Sequence, residues 1–570
     1  MPQTTALLAG RLQAAFDTIA VGADPVLRRS ERCDYQANGA LALAKALGRN
    51  PREVAEAVVS ALDLEGIATV EVAGPGFVNL QLVDAFIDAQ LEAQRHDARL
   101  GVPLGAAEVV VVDYSSPNVA KEMHAGHLRS TVIGDAIARL EAFGGATVRR
   151  ENHIGDWGTP FGMLIEHLID LGEAEAVHEL SLGDLDGFYR AARAKFEAEE
   201  PFAERSRQRV VLLQQGDAET LERWRLLVGA SVRYFSGIYE ELGVLLTAED
   251  VVGESAYNDQ LDQVVDDLDA AGLLVTSDGA SCVFPDGFTN REGEPLPLIV
   301  RKADGGYGYA ATDLACIRDR VSRLGAQRLL YVVGADQHLH LEMCFAVAAL
   351  AGWLPEGVEA IHVGFGNMLG TDHKKFKTRA GDVVKLADLL AEAQQRAAAA
   401  VRERNADLDE AAVAQVARSV GVGAVKYADL STERGKDYVF DWNRMLQAEG
   451  NTGPYLQYAH ARLCSVLRRA EAAGAEAGVI CCREPAERAL AMVLLGFCDA
   501  VAAATEGALP SKLCTYLFDL AQAVTTFYEH CPVLTAPPEV RANRLALVLV
   551  ARDTLRLGLS LLGIDAPPQM

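Results

Sequence analysis

A doubly wound, mostly parallel α/β sheet, preceded by a small α+β module and followed by an all-α helical bundle, is the fold this sequence predicts. Three observations carry it. Val109 to Val112 is a continuous β-branched run, the pattern of a strand buried on both faces of a parallel sheet. Two later apolar runs, Leu329 to Val333 and Ala360 to Val363, alternate with helical stretches in a βα rhythm. From about Ala387 onward the chain is rich in Ala and Leu at helical spacing, as in a bundle.

In chain order, residues 1–105 read as the α+β module. Thr4 to Ala20 is helical, and a second helix over Asn38 to Leu47 stops at Gly48. A third begins after Asn50 with Pro51 in its first position. Thr69 to Val72 and Phe77 to Leu82 then alternate around Gly74-Pro75-Gly76, a hairpin signal. Residues 106–390 hold the sheet, with a long helix expected from about Gly126 to Ala142 and an acidic, mostly helical insertion over about 166–286. Residues 391–570 form the bundle.

At 570 residues the chain exceeds one hydrophobic core, so three or four domains are expected. Half the residues are hydrophobic and 23% are charged, a globular balance. No uninterrupted apolar run of membrane-spanning length and no signal peptide is recognised. Ten scattered cysteines without a C-x-x-C pair fit a reducing cytoplasm and give no zinc ribbon. The net charge of −26 argues against a nucleic-acid partner unless basic stripes are local. Arg462 to Arg469 and Lys374 to Arg379 are the candidates, although either also reads as a solvated face or loop.

The most informative stretch, DYSSPNVAKEMHAGHLR (Asp113 to Arg129), follows the first buried strand and opens a helix. Ligands of open α/β sheets bind at the carboxyl ends of strands, and helix N-termini favour phosphate. His124 and His127, with Gly126 between them, could bring imidazoles and backbone close to a triphosphate. His-x-x-His alone could equally be a metal pair or two surface residues. Gly364-x-Gly366-x-x-x-Gly370 has the wrong spacing for a dinucleotide loop, and no P-loop run occurs. His338 and His340 lack further ligands at suitable spacing, and no protein-bound metal is expected.

HAGH resembles the HIGH signature of class I aminoacyl-tRNA synthetases, and SSPNVAKEMHAGHLRST resembles their arginyl subgroup. Further blocks follow in family order: ENHIGDWGTPFGM (Glu151 to Met163), YGYAATDLA (Tyr307 to Ala315), VGADQHLH (Val333 to His340) and KFKTR (Lys375 to Arg379), which looks like the KMSKS loop. NTGPYLQY (Asn451 to Tyr458) is similar to a block of the tRNA-binding helical domain. DYQAN (Asp34 to Asn38) and GPGFVN (Gly74 to Asn79) are similar to the arginyl N-terminal module. The likeness spans nearly the whole chain.

The resemblance implies a Rossmann-like catalytic domain of the HUP type. It implies activation of arginine by ATP with Mg²⁺, then transfer to the 3′-terminal adenosine of tRNA(Arg), at the 2′-OH. His124, Gly126, His127, Lys375, Phe376 and Lys377 are the implied ATP contacts. Tyr309, Asp313 and Gln337 are the implied lining of the guanidinium pocket. Ser116, Pro117, Asn118 and His127 would meet the rest of arginine, and Asp113 would add negative charge. The loop carries Thr378 where the general class I loop has its last lysine, and Lys121 is the candidate substitute. Residues 1–105 would touch the tRNA elbow. In the bundle, Asn451, Tyr455, Tyr458 and Arg462 would read the anticodon region, although tyrosines there could equally be helix core. A cytoplasmic monomer that needs tRNA for activation is expected.

Other readings give different signatures. A cysteine enzyme of the same class would show zinc-ligand cysteines, and a glutamate or glutamine enzyme a basic pocket. A small nucleotidylyltransferase would lack the helical domain, and a retired, non-enzymatic relative need not keep HAGH, Asp313, Gln337 and KFKTR.

Overall fold

A computed structural model describes residues 4–30, 32–172, 184–374, 376, 384–404 and 409–570. The N-terminal module holds α1 (Thr4–Asp17), β1 (Leu27–Arg29), β2 (Tyr35–Ala37), α2 (Gly39–Leu47), α3 (Pro51–Ala61), β3 (Ala68–Ala73), β4 (Phe77–Leu82) and α4 (Asp84–Arg95). Its sheet is antiparallel, in the order β1-β2-β4-β3. Helix α3 starts as expected: Pro51 occupies the first turn and the Asn50 side chain accepts from Arg52 N. The DYQAN and GPGFVN blocks make contacts both within this module and to the bundle. Gln36 Nε2 donates to Asn79 at 2.8 Å, and both Asp34 carboxylate oxygens accept from Arg488 of the bundle, at 3.0 and 2.7 Å.

The central sheet is built from β5 (Val109–Asp113), α5 (Ala125–Gly144) and β6 (Thr147–Glu151), followed by α6 (Pro160–Leu171). The insertion supplies α7 (Leu185–Ala198), α8 (Glu200–Gln214), α9 (Ala218–Leu242) and α10 (Leu261–Ala270). Its expected start lies inside α6, and its end is not helical. There β7 (Val275–Ser277) and β8 (Ala280–Val283) pair antiparallel, and β9 (Leu298–Arg301) adds a third strand. The turn between β7 and β8 is Asp278-Gly279, both at positive φ (48° and 79°). An Asp-Gly hairpin signal was therefore present, masked by the surrounding helical periodicity.

The chain continues through α11 (Tyr309–Ser322), β10 (Arg328–Tyr331), α12 (His338–Leu350), β11 (Glu359–His362) and β12 (Met368–Leu369). The four-stranded sheet is parallel throughout, in the order β11-β10-β5-β6. From β5 the chain steps to β6 on one side and later to β10 on the other. The switch point thus opens a crevice beyond Asp113 and Tyr331, where an open sheet holds its ligand. The valine run behaves as its composition demands: Val110, Val111 and Val112 are fully buried.

The bundle comprises α13 (Leu386–Arg404), α14 (Glu410–Leu430), β13 (Tyr438–Val439), α15 (Trp442–Met445), α16 (Gly453–Ala472), α17 (Pro485–Leu494), α18 (Phe497–Glu506), α19 (Pro510–His530) and α20 (Pro538–Leu561). One segment, Pro485–Glu506, reaches the length and mean hydropathy (1.6) of a membrane span, although no uninterrupted apolar run in it does. It is two helices that bury Leu490, Leu494, Phe497 and Val501 in the bundle core. The links between bundle and sheet domain include the parallel pairing of β13 with β12 and a 3.2 Å ion pair between Arg129 of α5 and Asp429 of α14.

Candidate active site

Helix α5 begins at HAGH, and both histidines are fixed by its first turn. His124 is the N-cap; its Nδ1 accepts from Gly126 N at 3.0 Å, and His127 Nδ1 accepts from His124 N at 3.0 Å. With both Nδ1 atoms used as acceptors, the neutral rings carry their protons on Nε2, as donors. Burial favours the neutral form of both. It is the first cause of the lowered pKa of His124, and it pushes His127 down to about 3. The ring centroids are 4.0 Å apart. Glycine is required between them, because a Cβ on Gly126 would sit 2.8 Å from His124 Cε1.

The loop between β5 and α5 is held in an uncommon conformation. Ser115, Ser116 and Ala120 have φ of 76°, 48° and 57°, which costs free energy unless the surroundings enforce it. The enforcement is visible. Ser115 N donates to Ser130 Oγ and Ser116 N to Asn152 Oδ1, while the Tyr239 hydroxyl joins Ser115 Oγ to Asn152 Nδ2. Pro117 is buried and Asn118 exposed. Gly155 closes the loop from the next segment, where a Cβ would lie 2.5 Å from Asn118 Oδ1. This brings Ser116, Pro117 and Asn118 to the mouth of the crevice, beside HAGH.

Asp113 differs from the expectation of a free negative charge. Its Oδ2 lies 2.7 Å from Arg320, whose Nε reaches Glu151 Oε2 at 2.5 Å, and its Oδ1 accepts from Ser116 Oγ. Arg320 is fully buried, so a single guanidinium is shared by two strand-end carboxylates, and the cluster keeps an excess of negative charge. The pairing also anchors Asp113 at the end of β5.

The facing wall comes from α11 and α12. Tyr309 and Asp313 lie one turn apart on α11, with Tyr309 79% exposed. Gln337 is also exposed, on a 3₁₀ turn (Ala335–Gln337) six residues beyond β10 rather than at the strand end. Asp313 Oδ2 is 2.6 Å from His340 Nε2, and Cys344 Sγ lies 3.6 Å from the same nitrogen. These three are the one His/Cys/Asp/Glu group among the described residues close enough to share a metal ion. The hydrogen bond accounts for their proximity without one. His338 turns away and stacks on His362.

Sequence reasoning missed Glu254. Its backbone N donates to Ile154 O, and the neighbouring Ser255 donates twice to Asp156. Burial, then the charges of Asp156 and Asp313, push its carboxyl up to about 7. No periodicity marks this residue; only the fold brings it near Asp313.

Lys375, Lys377 and Thr378 lie outside the described residues, but the flanks of their loop are placed. Phe376 packs on Phe440 with ring centroids 4.8 Å apart. On the other side, Ala125 N donates to Val384 O and Leu386 N to Met123 O, so the exit strand is bonded directly to HAGH. Lys121 is exposed, with Nζ 4.7 Å from the Tyr189 ring centroid, and its charge reaches both histidines.

In the bundle, Asn451 accepts from the Tyr427 hydroxyl at 2.6 Å, and Tyr455 packs toward Phe518 and Thr525. Tyr458 is 39% exposed and carries the Arg462 guanidinium 4.9 Å over its ring. Tyr528, 42% exposed, flanks the same guanidinium at 5.0 Å and was not anticipated, because it lies on another helix.

Three family descriptions match the chain: "tRNA synthetases class I (R), catalytic domain" over residues 91–442, "DALR anticodon binding domain" over 456–570, and "Arginyl tRNA synthetase N terminal domain" over 4–82. The chain is 54% identical to an arginine–tRNA ligase of Thermobifida fusca, covering all of both chains. It is 49% identical to one of Escherichia fergusonii, over 99% of each. Its fold is similar to the crystal structure of arginyl-tRNA synthetase from Plasmodium falciparum, with a TM-score of 0.85 at 28% identity and full coverage of both chains. It is also similar to the arginyl-tRNA synthetase of Thermus thermophilus, with a TM-score of 0.83 at 26% identity, covering 99% of this chain and all of that one.

Proposed function

This chain belongs to the arginyl subgroup of the class I tRNA synthetases, and from that premise we propose how its residues share the reaction. It is an arginine–tRNA ligase, which activates L-arginine with ATP and esterifies it to tRNA(Arg). The observation that carries our reading of the site is the self-capped HAGH turn, which leaves two neutral Nε2–H donors beside the N-terminus of α5.

In this reading an arginine carboxylate oxygen attacks the α-phosphorus in line. The bond to the β-phosphate bridging oxygen breaks, giving arginyl-adenylate and pyrophosphate. His124 and His127 donate to phosphate oxygens as charge builds on them, helped by the free N–H groups of the helix start. Ser116, Pro117 and Asn118 position the amino and carboxylate ends of arginine, with His127 close by. Asp313, Tyr309 and Gln337 receive the guanidinium, whose five donors suit a carboxylate with neutral oxygens around it. Lys375 and Lys377, with Phe376 against the nucleotide, close over the pyrophosphate. Mg²⁺ arrives with ATP and neutralises the leaving phosphates. The tRNA 2′-OH then attacks the arginyl carbonyl and AMP leaves.

We assign residues 1–105 to the tRNA elbow, 106–390 to catalysis and 391–570 to the anticodon region. In the last of these, Tyr458 and Arg462, joined by Tyr528, offer a stacking platform for an unpaired base. Asn451 and Tyr455 are the weaker candidates, since both already have partners inside the bundle. We place the enzyme in the cytoplasm as a monomer, which sedimentation of the purified protein checks.

Lys121 takes the place of the lysine that Thr378 does not supply. Its position beside both histidines supports this. Lys121→Ala should lower tRNA-dependent pyrophosphate exchange by about 10- to 100-fold with little change in melting temperature. A rate within about twofold of wild type, well under 1 kcal/mol of barrier, removes the lysine from the mechanism.

A further inference from the structure

One side chain of the arginine wall has no part in the reaction as described above, and its position gives it one. His340 lies on the first turn of α12, with Nε2 2.6 Å from Asp313 Oδ2. Asp313 Oδ1 accepts no hydrogen bond from the described residues, and its side chain is 25% exposed. The carboxylate is thus gripped by one oxygen and open at the other. Resting on the assignment of Asp313 to the guanidinium, we propose that His340 is a positioning residue for arginine, holding Asp313 by Oδ2 and releasing a proton when the guanidinium takes Oδ1.

The argument is one of charge around a shared carboxylate. In the free protein the hydrogen bond to Asp313 is the first cause that raises the His340 pKa, against the opposing effect of burial. Imidazolium is the form that gains most from the carboxylate. An arginine guanidinium is charged at every accessible pH. Placed on Oδ1, it puts a second cation beside the same carboxylate, and the attraction that held the imidazole proton is offset. The proton on Nδ1 leaves to solvent, while Nε2–H stays on Asp313 Oδ2 and the grip survives.

The other titratable groups facing this pair are few. Cys344, one turn along α12, is 3.6 Å from His340 Nε2, and burial holds its thiol neutral. Glu254, in the segment before α10, is close enough to feel the charges of Asp313 and of Asp156, and at about 7 it also holds a proton part of the time near neutrality. It would release it for the same reason as His340. Both releases have one sign: arginine affinity rises as pH rises through the free-pocket pKa values.

The test is titration calorimetry of the full-length protein with L-arginine near pH 7, in two buffers of different ionisation enthalpy, for wild type, His340→Gln and Glu254→Gln. A glutamine amide reaches Asp313 as a donor but does not titrate. We expect wild type to release on the order of 0.5–1 proton. His340→Gln should remove a clear part of that release, and Glu254→Gln a separate part. In exchange kinetics, the KM for arginine of His340→Gln at pH 8 should stay within about threefold of wild type, with a flatter slope toward acid pH. His340→Ala should raise the arginine KM about tenfold or more at every pH and leave the ATP KM within about twofold. Unchanged proton release in His340→Gln, or equal damage to both KM values in His340→Ala, overturns the proposal. Arginine-dependent exchange by the wild-type preparation is measured alongside. Its absence would instead sink the assignment of the pocket to arginine.

Discussion

Replacing His124 by alanine should slow adenylate formation at saturating arginine by about 10²–10³-fold, the usual effect of deleting one preorganised donor to a developing oxyanion. The size follows from where the ring is fixed. Its Nδ1 is occupied by Gly126 N, its Nε2–H is free for phosphate, and burial favours its neutral form. Alanine also removes an N-cap, which costs about 1 kcal/mol of stability. His124→Asn separates the effects: asparagine caps well but places no donor where Nε2 lies, so it should fold normally and still lose about two orders of magnitude. His127→Ala should behave similarly. Because His127 is pushed down to about 3, that ring does not become charged on moving from about pH 8 to pH 6, and burial opposes charging of His124 as well. The rate at saturating arginine should therefore stay flat over that range while the arginine KM climbs. Single-turnover adenylate formation across pH checks both statements, and a rate that falls in step with a histidine titration refutes the neutral-donor assignment.

Arg129→Ala is expected to destabilise the protein by about 3–5 kcal/mol, because it leaves a carboxylate buried without its counter-charge. Arg129 and Asp429 are 1% and 0% exposed and 3.2 Å apart. The guanidinium also donates to Lys436 O and lies 5.2 Å from the Tyr438 ring centroid. Burial already raises the Asp429 pKa in spite of the arginine, and removal of the cation leaves only the Tyr438 hydroxyl to oppose it. The pair Arg129→Met with Asp429→Leu should recover most of the loss, since an ion pair and a hydrophobic pair of similar size often differ little. Denaturant midpoints of the single and double variants measure this, and a single variant as stable as wild type would contradict the burial on which it rests. The consequence reaches function. Arg129 is two residues beyond His127, and Asp429 belongs to the bundle. This contact therefore ties the bundle directly to the HAGH turn.

Much of this was legible from local pattern. The Val109–Val112 run sits fully buried in the sheet from its second residue on, α3 starts at Asn50-Pro51 and HAGH opens α5, because in each case neighbours in sequence decide the outcome. The misses are long-range. Arg320 meets Asp113 across 207 positions, and nothing local to either says that Asp113 shares a buried guanidinium with Glu151. Glu254 comes near Asp313 only through the docking of its segment on Ile154 and Asp156, and Tyr528 joins Arg462 from a separate helix. The β7–β8 hairpin is the exception: its Asp-Gly turn was local and was outvoted by long helices on either side.

We propose that the crevice in which this ligase activates arginine is completed only when tRNA engages the bundle. The flanks of the Lys375–Lys377 loop give the physical reason: one is bonded to HAGH, and the other packs on Phe440, next to the β12–β13 pairing that links sheet and bundle. The most direct test is ATP–pyrophosphate exchange with each amino acid in turn, with and without tRNA. The account predicts exchange with arginine alone, and only in the presence of tRNA. Full exchange with arginine without tRNA would contradict the coupling, and exchange with any other amino acid in its place would contradict the pocket.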